Sequence, residues 1–554
     1  MKKIILISIL FITNYAQSQT WQWAVSCGKS LGDDIGTLAI DNNSNLYLSS
    51  FFYTTQGVYG NDTLIPSGIN DIAFSKVDNN GNFIWTKQIG GNNIGPGIER
   101  ASVYFDPASS SLLLSGEFYG NISLGNNTLT SVGEKDIFLS KFDANGNCIW
   151  AVKAGGIGND DARFITTDAN GNIYLIGQVG DTAFFDAHSI HRSYYFAKYN
   201  NVGNCLWVNN ILDNPMLVQP DAYFSSISNF NNEVLLSGWT TNDTVVFAKD
   251  TLFANSLYGY DLMLAKFDLN GNLTWSKLDG GGVLESTTGA KYDNSGNIYA
   301  TGSMGGDTAY FGSIMLPNDP GSEMFLVKYD NSGNELWARQ TINSNNYRSK
   351  GFSVSQLDGS IYLTGNFQGT LTMGNFTVSN VWGVDVDLFI ARYSANGDCL
   401  GLRNVRVDSP APNPGGGISI AQDASNNCFV AGQFNGTSYF DSYSITSVAQ
   451  KDIFIAKSDA ITGLGGQNRV VQNQLIIYAN PNKGTFNIKV PDEIKSFKQA
   501  WLFVYDMSGK EIARFNLDNE SDTPHFDISN SNPGSYSVKL VQGEKVYSGK
   551  MVVE

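Results

Sequence analysis

The sequence predicts an all-β chain, a seven-bladed β-propeller closed by its own N-terminal strand and followed by a small C-terminal β-sandwich. Three observations carry that expectation. A two-part motif recurs at intervals of 57 to 68 residues, and self-similarity at a fixed period marks a repeat architecture. Each copy holds four short runs rich in β-branched and aromatic residues, divided by turn residues. The seventh copy lacks its fourth run, and the start of the mature chain supplies a match for it.

Composition agrees with this reading. The 554 residues include 58 glycines, with 42% hydrophobic, 12% aromatic and only 16% charged residues, a profile of tight turns around a large core rather than of disorder. A formal net charge of −16 with no basic stripe argues against nucleic acid or anionic membrane as partners. Three histidines and five cysteines leave little material for chemistry centred on either.

The elements follow in chain order. Lys2 and Lys3 precede an apolar run from Ile4 to Ile12 and the small-x-small site Ala16-Gln17-Ser18, so residues 1–18 read as a secretory signal peptide. That run is too short to span a bilayer, and no other stretch is apolar enough for a transmembrane segment. Residues 19–462 hold the repeats. One half reads Asp136-Ile-Phe-Leu-Ser-Lys141-Phe-Asp143-Ala-Asn-Gly146-Asn-Cys-Ile-Trp150, and the other Asp168-Ala-Asn-Gly-Asn172-Ile-Tyr-Leu-Ile-Gly177. The four strands, called A to D, fall in the third copy at Phe164 to Asp168, Ile173 to Gly177, Tyr195 to Tyr199 and Cys205 to Val208. Asp-x-x-Gly-Asn turns join A to B and C to D, the glycine tolerating positive φ. After Asp459 no strand D follows, whereas Trp21-Gln-Trp23-Ala-Val25 matches Trp150-Ala-Val152. The N-terminal strand therefore completes the last blade, which removes two open sheet edges. Gly463 to Gln474 is a polar linker, and residues 475–554 carry alternating strands with turns at Asn480-Pro-Asn-Lys-Gly484, Ser508-Gly-Lys510 and Asn532-Pro-Gly534, the pattern of a small sandwich.

Residues repeated in every blade are explained by what every blade shares. Trp23, Trp85, Trp150, Trp207, Trp275 and Trp337 hold one strand D position and are expected to pack neighbouring blades. The strand C lysines, such as Lys76 and Lys141, lay apolar stems over the surface with their heads near an aromatic ring. Cys148, Cys205 and Cys399 share a register in separate blades, beyond bridging distance, so no disulfide is expected. His188 and His191 form a lone pair on a surface loop. Turns such as Asp78-Asn-Asn-Gly81-Asn82 begin like a calcium loop but lack its later glutamate. No cofactor is expected, calcium being the one these turns would admit. No nucleophile elbow, zinc helix or phosphate loop occurs.

The repeat Asp-x-x-Gly-Asn-Ile-Tyr-x-x-Gly followed by Asp-x-Phe-x-Ala-Lys-x-Asp is similar to the seven-bladed propeller repeats of secreted bacterial proteins, over roughly residues 21 to 460. That resemblance implies secretion or surface exposure and no particular activity. The C-terminal residues Tyr478-Ala-Asn-Pro481, Gly484-Thr-Phe486, Val504-Tyr-Asp-Met-Ser-Gly-Lys510, Pro533-Gly-Ser-Tyr536 and Lys550-Met-Val-Val553 resemble the type A sorting domain of type IX secretion. Asn480, Pro481, Gly484, Gly509, Lys510, Gly534 and Tyr536 carry the match, and Ala479 departs from it where that family usually has proline. The resemblance implies a Gram-negative host of the Bacteroidetes kind, handling by the type IX machinery, and release or attachment at the outer cell surface. Asp-Thr pairs at Thr63, Thr182, Thr244, Thr251 and Thr308 resemble an O-glycosylation signal of such exported proteins, and strand propensity explains the threonines equally well.

Specificity is expected in the unrepeated residues. The D–A and B–C connections share one face of the disc, and the longest are Gly90 to Arg100, Asn209 to Asp221, Gly280 to Thr288, Thr341 to Lys350 and Val407 to Gly417. Asp34, Glu99 and Asp161, with Asp221 and Glu285 one place off, precede strand A and would ring the channel mouth or cap its loops. Trp239, Tyr347 and Trp382, with Tyr258 and Tyr260, would stack on a ligand or pack the loops. The expected function is non-enzymatic binding or adhesion at the cell surface, with a glycan or a surface protein as partner. The alternatives are a polysaccharide-degrading enzyme using carboxylates on the loop-rich face and a structural component of a surface layer or motility apparatus. Deleting residues 476–554 is expected to keep the chain from the surface, as followed by cell fractionation. Normal arrival of the shortened chain would overturn the sorting assignment.

Overall fold

The computed structural model describes residues 20–461 and 473–554, apart from segments 30–31, 54, 92–100, 213–221, 242–243, 248–249, 255–259, 282–285, 306–307, 318–321, 342–346, 381–385, 409–414, 449–450, 479–480, 490–499, 507–509, 518–524 and 543–544. The signal-peptide segment and most of the linker lie outside the described residues. The chain divides into two compact units, residues 1–466 and 467–554.

In the first unit each sequence repeat gives a four-stranded antiparallel meander in the order A-B-C-D. The first is Asp34–Ile40, Leu46–Tyr53, Asn70–Val77 and Phe83–Ile89. The last sheet orders Gly415–Gln422, Cys428–Phe434, Asp452–Ser458 and the N-terminal strand Trp21–Cys27. Trp21 stands opposite Ser458 and Cys27 opposite Ile453. The architecture is all-β and propeller-like; among the described residues there is no helix, and no sheet closes on itself. All five cysteines are free.

Strands B and C are buried along nearly their whole length, as in Ile361–Phe367 and Asp387–Tyr393. Both their faces are covered, which is why they read as almost continuous apolar runs. The covering comes from the neighbouring repeat. Trp85 Nε1 donates to the Ala144 carbonyl at 3.3 Å, Trp150 to Asn201 at 3.2 Å and Trp337 to Ala395 at 3.3 Å, each acceptor lying in the next repeat's C–D turn. Trp23 of the N-terminal strand donates to Asn79 at 2.9 Å in the first repeat's turn. The turn glycines lie against these rings: a Cβ on Gly81 would stand 3.0 Å from Trp23, and one on Gly146 3.1 Å from Trp85. The same glycines have φ of 86° and 78°, so both backbone and neighbour demand glycine. The strand C cations join the contact. Lys328 Nζ donates to the Ala395 carbonyl at 3.0 Å while lying 5.0 Å from the Tyr299 ring centroid. Lys457 reaches Asn79 Oδ1 at 2.6 Å over Phe429. The sixth repeat carries Gly401 opposite Arg392 where the others carry tryptophan. There Trp21 is 2% exposed and packs with Leu388, Ile390 and Val405 of the sixth repeat.

The B–C connections differ from the expected variable loops. Each contains a short hairpin, such as Gly57–Tyr59 with Asp62–Leu64 or Ala183–Phe185 with His188–Ile190. Their two-residue turns use a left-handed first residue, Gly60, Gly125, Asp186, Gly312, Gly374 or Asp441. Each of these strands is only three or four residues long in most repeats, too brief for alternation to stand out. Hairpins pair back onto the end of the preceding repeat's strand D: Gly90 with Ser123, Leu212 with Phe247 and Gly280 with Tyr310. Gly28, after the N-terminal strand, pairs likewise with Val58 in the first repeat's hairpin.

The second unit packs a five-stranded sheet against a three-stranded one. Phe486, Ile488, Leu502, Val504, Val538, Leu540 and Tyr547 fill its core. The end of the expected linker, Asn473–Gln474, joins the larger sheet parallel to Lys545–Val553. Strands Glu511–Asn516 and His525–Asp527 add to those read from sequence. Gly484 (φ 93°) would place a Cβ 2.4 Å from Ser529 Cα. Lys510 N–H donates to Asp506 Oδ1 at 3.0 Å, and Tyr536 is buried opposite Asp506 and Met551. Gly534 opens its strand opposite Val553, Pro481 is exposed, and Asn480 and Gly509 lie outside the described residues.

Replacing Gly146 by Ala is expected to cost the ~1–2 kcal/mol of a left-handed L-residue plus that of displacing Trp85, read as a lower thermal midpoint. Gly369→Ala is the control, because Gly369 has φ 80° with nothing within 4 Å of a Cβ. Equal losses in the two variants would show that the tryptophan–turn contact yields freely.

Candidate functional site

Strand A of each repeat is an edge strand, paired within its sheet with strand B alone. Hydroxyls lace consecutive A strands together: Ser102 Oγ donates to the Arg163 carbonyl at 2.7 Å, Ser226 Oγ to Ala290 at 3.1 Å and Thr288 Oγ1 to Ser349 at 3.0 Å. Leu38 N–H of the first repeat donates to Ser419 Oγ of the last at 3.3 Å. Residues of the A strands of all seven repeats, from Gly36 to Ile420, line an open cavity of about 1070 Å³. A second cavity of about 390 Å³ shares Gly36, Thr37, Ser102 and Phe164 with it and extends to the beginnings of the A strands, on the face of the hairpins.

The smaller cavity is lined by Phe51, Arg163, Tyr223 and Trp239. Strand A carries a bulge in six repeats, and in the third the extra residue between Ala162 and Phe164 is Arg163. Bulges re-aim side chains, which is how a basic residue comes to face a strand-lined cavity. Its guanidinium holds Asp161, with Nε 3.0 Å and Nη2 2.9 Å from Oδ2, and Nη2 also reaches Gln178 Oε1 at 3.2 Å. Burial works against this cation, but Asp161 outweighs it and holds Arg163 above its ordinary pKa. The guanidinium carbon lies 5.5 Å from the Tyr194 ring and 5.8 Å from that of Tyr223. Tyr223 stacks on Trp239 at 4.3 Å and 26°, and Tyr260 meets Trp239 edge-on at 4.6 Å. All three rings are part-exposed. The register shows that these groups are unrepeated. Opposite Trp239, Tyr223 occupies the position held by Asp34 opposite Phe51 and by Asp161 opposite Gln178.

The expected acidic ring is seen in two of its members, both engaged within the protein. Asp34 accepts from Lys451 Nζ at 2.7 Å and Tyr53 Oη at 3.3 Å, and Asp161 is held by Arg163. Glu99, Asp221, Glu285, Trp382 and Tyr258 lie outside the described residues, and Tyr347 opens its strand opposite Phe367. Of the aromatic residues read from sequence, Trp239 and Tyr260 lie against each other, and Trp239 lines the smaller cavity. Arg163 and Tyr223 were not singled out from sequence; Arg163 stands two residues after Asp161, where a bulge signal would have been needed. Next to Asp161, burial pushes Asp160 up to about 6 against hydrogen bonds from the Gly180 and Gly156 N–H groups. Both oxygens are thus occupied, in a residue 1% exposed.

The Asp-x-x-Gly-Asn turns use their own carboxylates. Asp78 Oδ1 accepts from the Asn80 and Asn82 N–H groups at 2.9 and 2.8 Å, and Oδ2 from Asn82 Nδ2 at 2.9 Å. Slight burial raises this carboxyl, but these bonds prevail and hold it below the usual range, as they do Asp143 and Asp330. Among the described residues no group of three or more His, Cys, Asp or Glu is placed to hold a metal. His191 Nδ1 is paired with Thr182 Oγ1 at 2.8 Å.

An uncharacterized WD repeat-containing protein of Acanthamoeba polyphaga mimivirus is 22% identical over 516 residues, 74% of this chain and 36% of that protein. This chain thus spans little more than a third of that relative's length. Among solved structures, a quinonprotein alcohol dehydrogenase-like protein of Bacteroides thetaiotaomicron has 13% identity and a TM-score of 0.32, covering 66% of this chain and 64% of that one. Puromycin hydrolase has 9% identity and a TM-score of 0.39, covering 83% and 59%. Values of this size carry no activity across. Residues 476–554 match the secretion system C-terminal sorting domain. With that domain behind its propeller-like unit, the chain is a protein of the type IX secretion route, released or attached at the outer cell surface.

Proposed function

We propose that the seven meanders are the blades of one ring closed by the N-terminal strand, and that the secreted chain is a non-enzymatic binding protein that takes a glycan at the hairpin-side mouth. Closure is supported by repetition of contacts across the first and last repeats: Trp23 with Asn79 and Gly81, Lys457 with Asn79, and Gly28 with Val58. The binding reading rests on one observation, the unrepeated cluster of Arg163, Tyr223, Trp239 and Tyr260 beside the smaller cavity. Stacked, part-exposed rings offer apolar platforms to sugar faces, and the Arg163–Asp161 pair offers donors and acceptors to hydroxyls. A rigid scaffold with a few placed polar groups suits recognition. The host is a bacterium of the Bacteroidetes kind, and a cleaved signal peptide delivers the chain to the type IX machinery.

Retention of soluble polysaccharides by the purified chain tests this, with new reducing ends followed in the same tubes. Binding without new ends is expected, and Trp239→Ala is expected to cost ~2 kcal/mol or more, about thirtyfold in affinity, with a thermal midpoint near the parent's. New reducing ends would replace this reading with an enzymatic one. Retention unchanged in Trp239→Ala would move the site elsewhere. Because the turn aspartates are filled by their own turns, chelation of calcium is expected to leave the thermal midpoint unchanged; a marked drop would identify a structural calcium.

A further inference from the structure

The larger cavity holds a charge that the repeat does not account for. One strand A register, opposite the second residue of strand B, carries a neutral side chain in six repeats, from Ala39 in the first to Ala421 in the last. The fifth repeat carries Lys291 there, opposite Tyr299. Lys291 lines the cavity beside Tyr104, Thr166, Ser228 and Phe352, its ammonium 5.6 Å from the Phe352 ring centroid. Strand packing and the glycine-rich turns do not require a cation at this place.

The charged neighbours are committed elsewhere. Asp168 accepts from the Asn170 and Asn172 N–H groups and from the Tyr174 hydroxyl. Asp293 accepts in the same way from Ser295, Asn297 and Tyr299. The other basic group on the wall, Lys350, is the exposed bulge residue of the sixth repeat. Tyr104 is a further titratable group on the wall, its hydroxyl taking a hydrogen bond from Thr166. Tyr292, beside Lys291, has a buried hydroxyl without a hydrogen-bond partner, and burial, then Glu233, holds it protonated. No described carboxylate forms an ion pair with Lys291, and burial alone lowers its pKa to about 8. It is still charged at neutral pH, in a place where an incoming anion would offset the lost hydration.

We propose that Lys291 anchors a carboxylate of the ligand, so that the glycan taken by this protein is an acidic, uronate-containing chain rather than a neutral one. This rests on the glycan reading of the mouth. The two cavities share walls, and four paired residues, about 13 Å of strand, separate the register of Tyr223 from that of Lys291. A chain stacked on Trp239 therefore runs inward along the A strands to reach the ammonium.

The test uses the full chain with two hexasaccharides, an oligogalacturonate and a neutral glucan, titrated by calorimetry. The uronate is expected to bind at least tenfold more tightly at pH 7. That preference is expected to fade as pH rises past about 8, where the amine loses its proton. Lys291→Arg is expected to keep the preference across that range, and Lys291→Met to abolish it while binding the glucan as the parent does. Equal affinity for both hexasaccharides, or a preference surviving in Lys291→Met, would overturn the anchor and leave the glycan reading standing. If neither hexasaccharide binds, the glycan reading falls, and the anchor is then judged by acylation of Lys291 followed by mass spectrometry. Protection by citrate would retain a carboxylate site; its absence would overturn that too.

Discussion

The contact between a strand D tryptophan and the next repeat's C–D turn is the constraint on which the first unit depends. A four-stranded meander on its own has two open edges and two bare faces, and cannot bury the continuous apolar runs of its B and C strands. The tryptophan answers this by reaching across. Its ring covers the neighbour's turn glycine, and its N–H satisfies a carbonyl that no strand pairs. A buried indole N–H needs such a partner, so position and orientation are fixed together. The strand C cation, held between an aromatic ring and a carbonyl of the same turn, adds a second point. Two points set the pitch between sheets. The sixth repeat is the exception: it carries Gly401 at the tryptophan position, and Trp21 of the N-terminal strand is buried against its Leu388, Ile390 and Val405.

Strand A is free of that duty, and its chemistry differs accordingly. It meets its neighbours through serine and threonine hydroxyls, joined by the aromatic pair Phe230 and Tyr292, and its residues line the larger cavity. Bulges then turn single residues into it. Most of those residues follow no pattern from copy to copy: Arg163 in one repeat, Ser225, Thr288 and Lys350 in others. The contacts between sheets recur from copy to copy while the bulge residues of strand A vary, so those residues can differ without loosening the contacts.

Much of this was legible in the sequence because it is periodic. The lysine, the glycine and the tryptophan each recur, and the missing strand after Asp459 points to Trp21–Cys27, which pairs with Asp452–Ser458 as expected. The sorting unit was legible through its turns. The hairpins were not. They announce themselves only by a left-handed turn residue, which is Gly60 in one copy and Asp186 in another. Their Asp-Thr pairs, at Thr63 and Thr251 among others, are strand residues of these same hairpins. The site was half legible. Trp239 stood out as a tryptophan outside the repeated strand D position, whereas Arg163 owes its place to a bulge, which shifts register by one and is invisible to a pattern of alternation.

The pairing of Trp21 with Ser458 joins residues 437 positions apart. Closing a loop of that length in place of a tight hairpin costs about 4 kcal/mol more in chain entropy, and it cannot be made until the last repeat exists. The strand synthesised first is thus the last to find its partners. Until then Asp452–Ser458 presents a bare edge, and Trp21 and Trp23 have no burial site. The strand that opens the unit waits on the strand that ends it, and the completed sheet records that the last repeat has arrived.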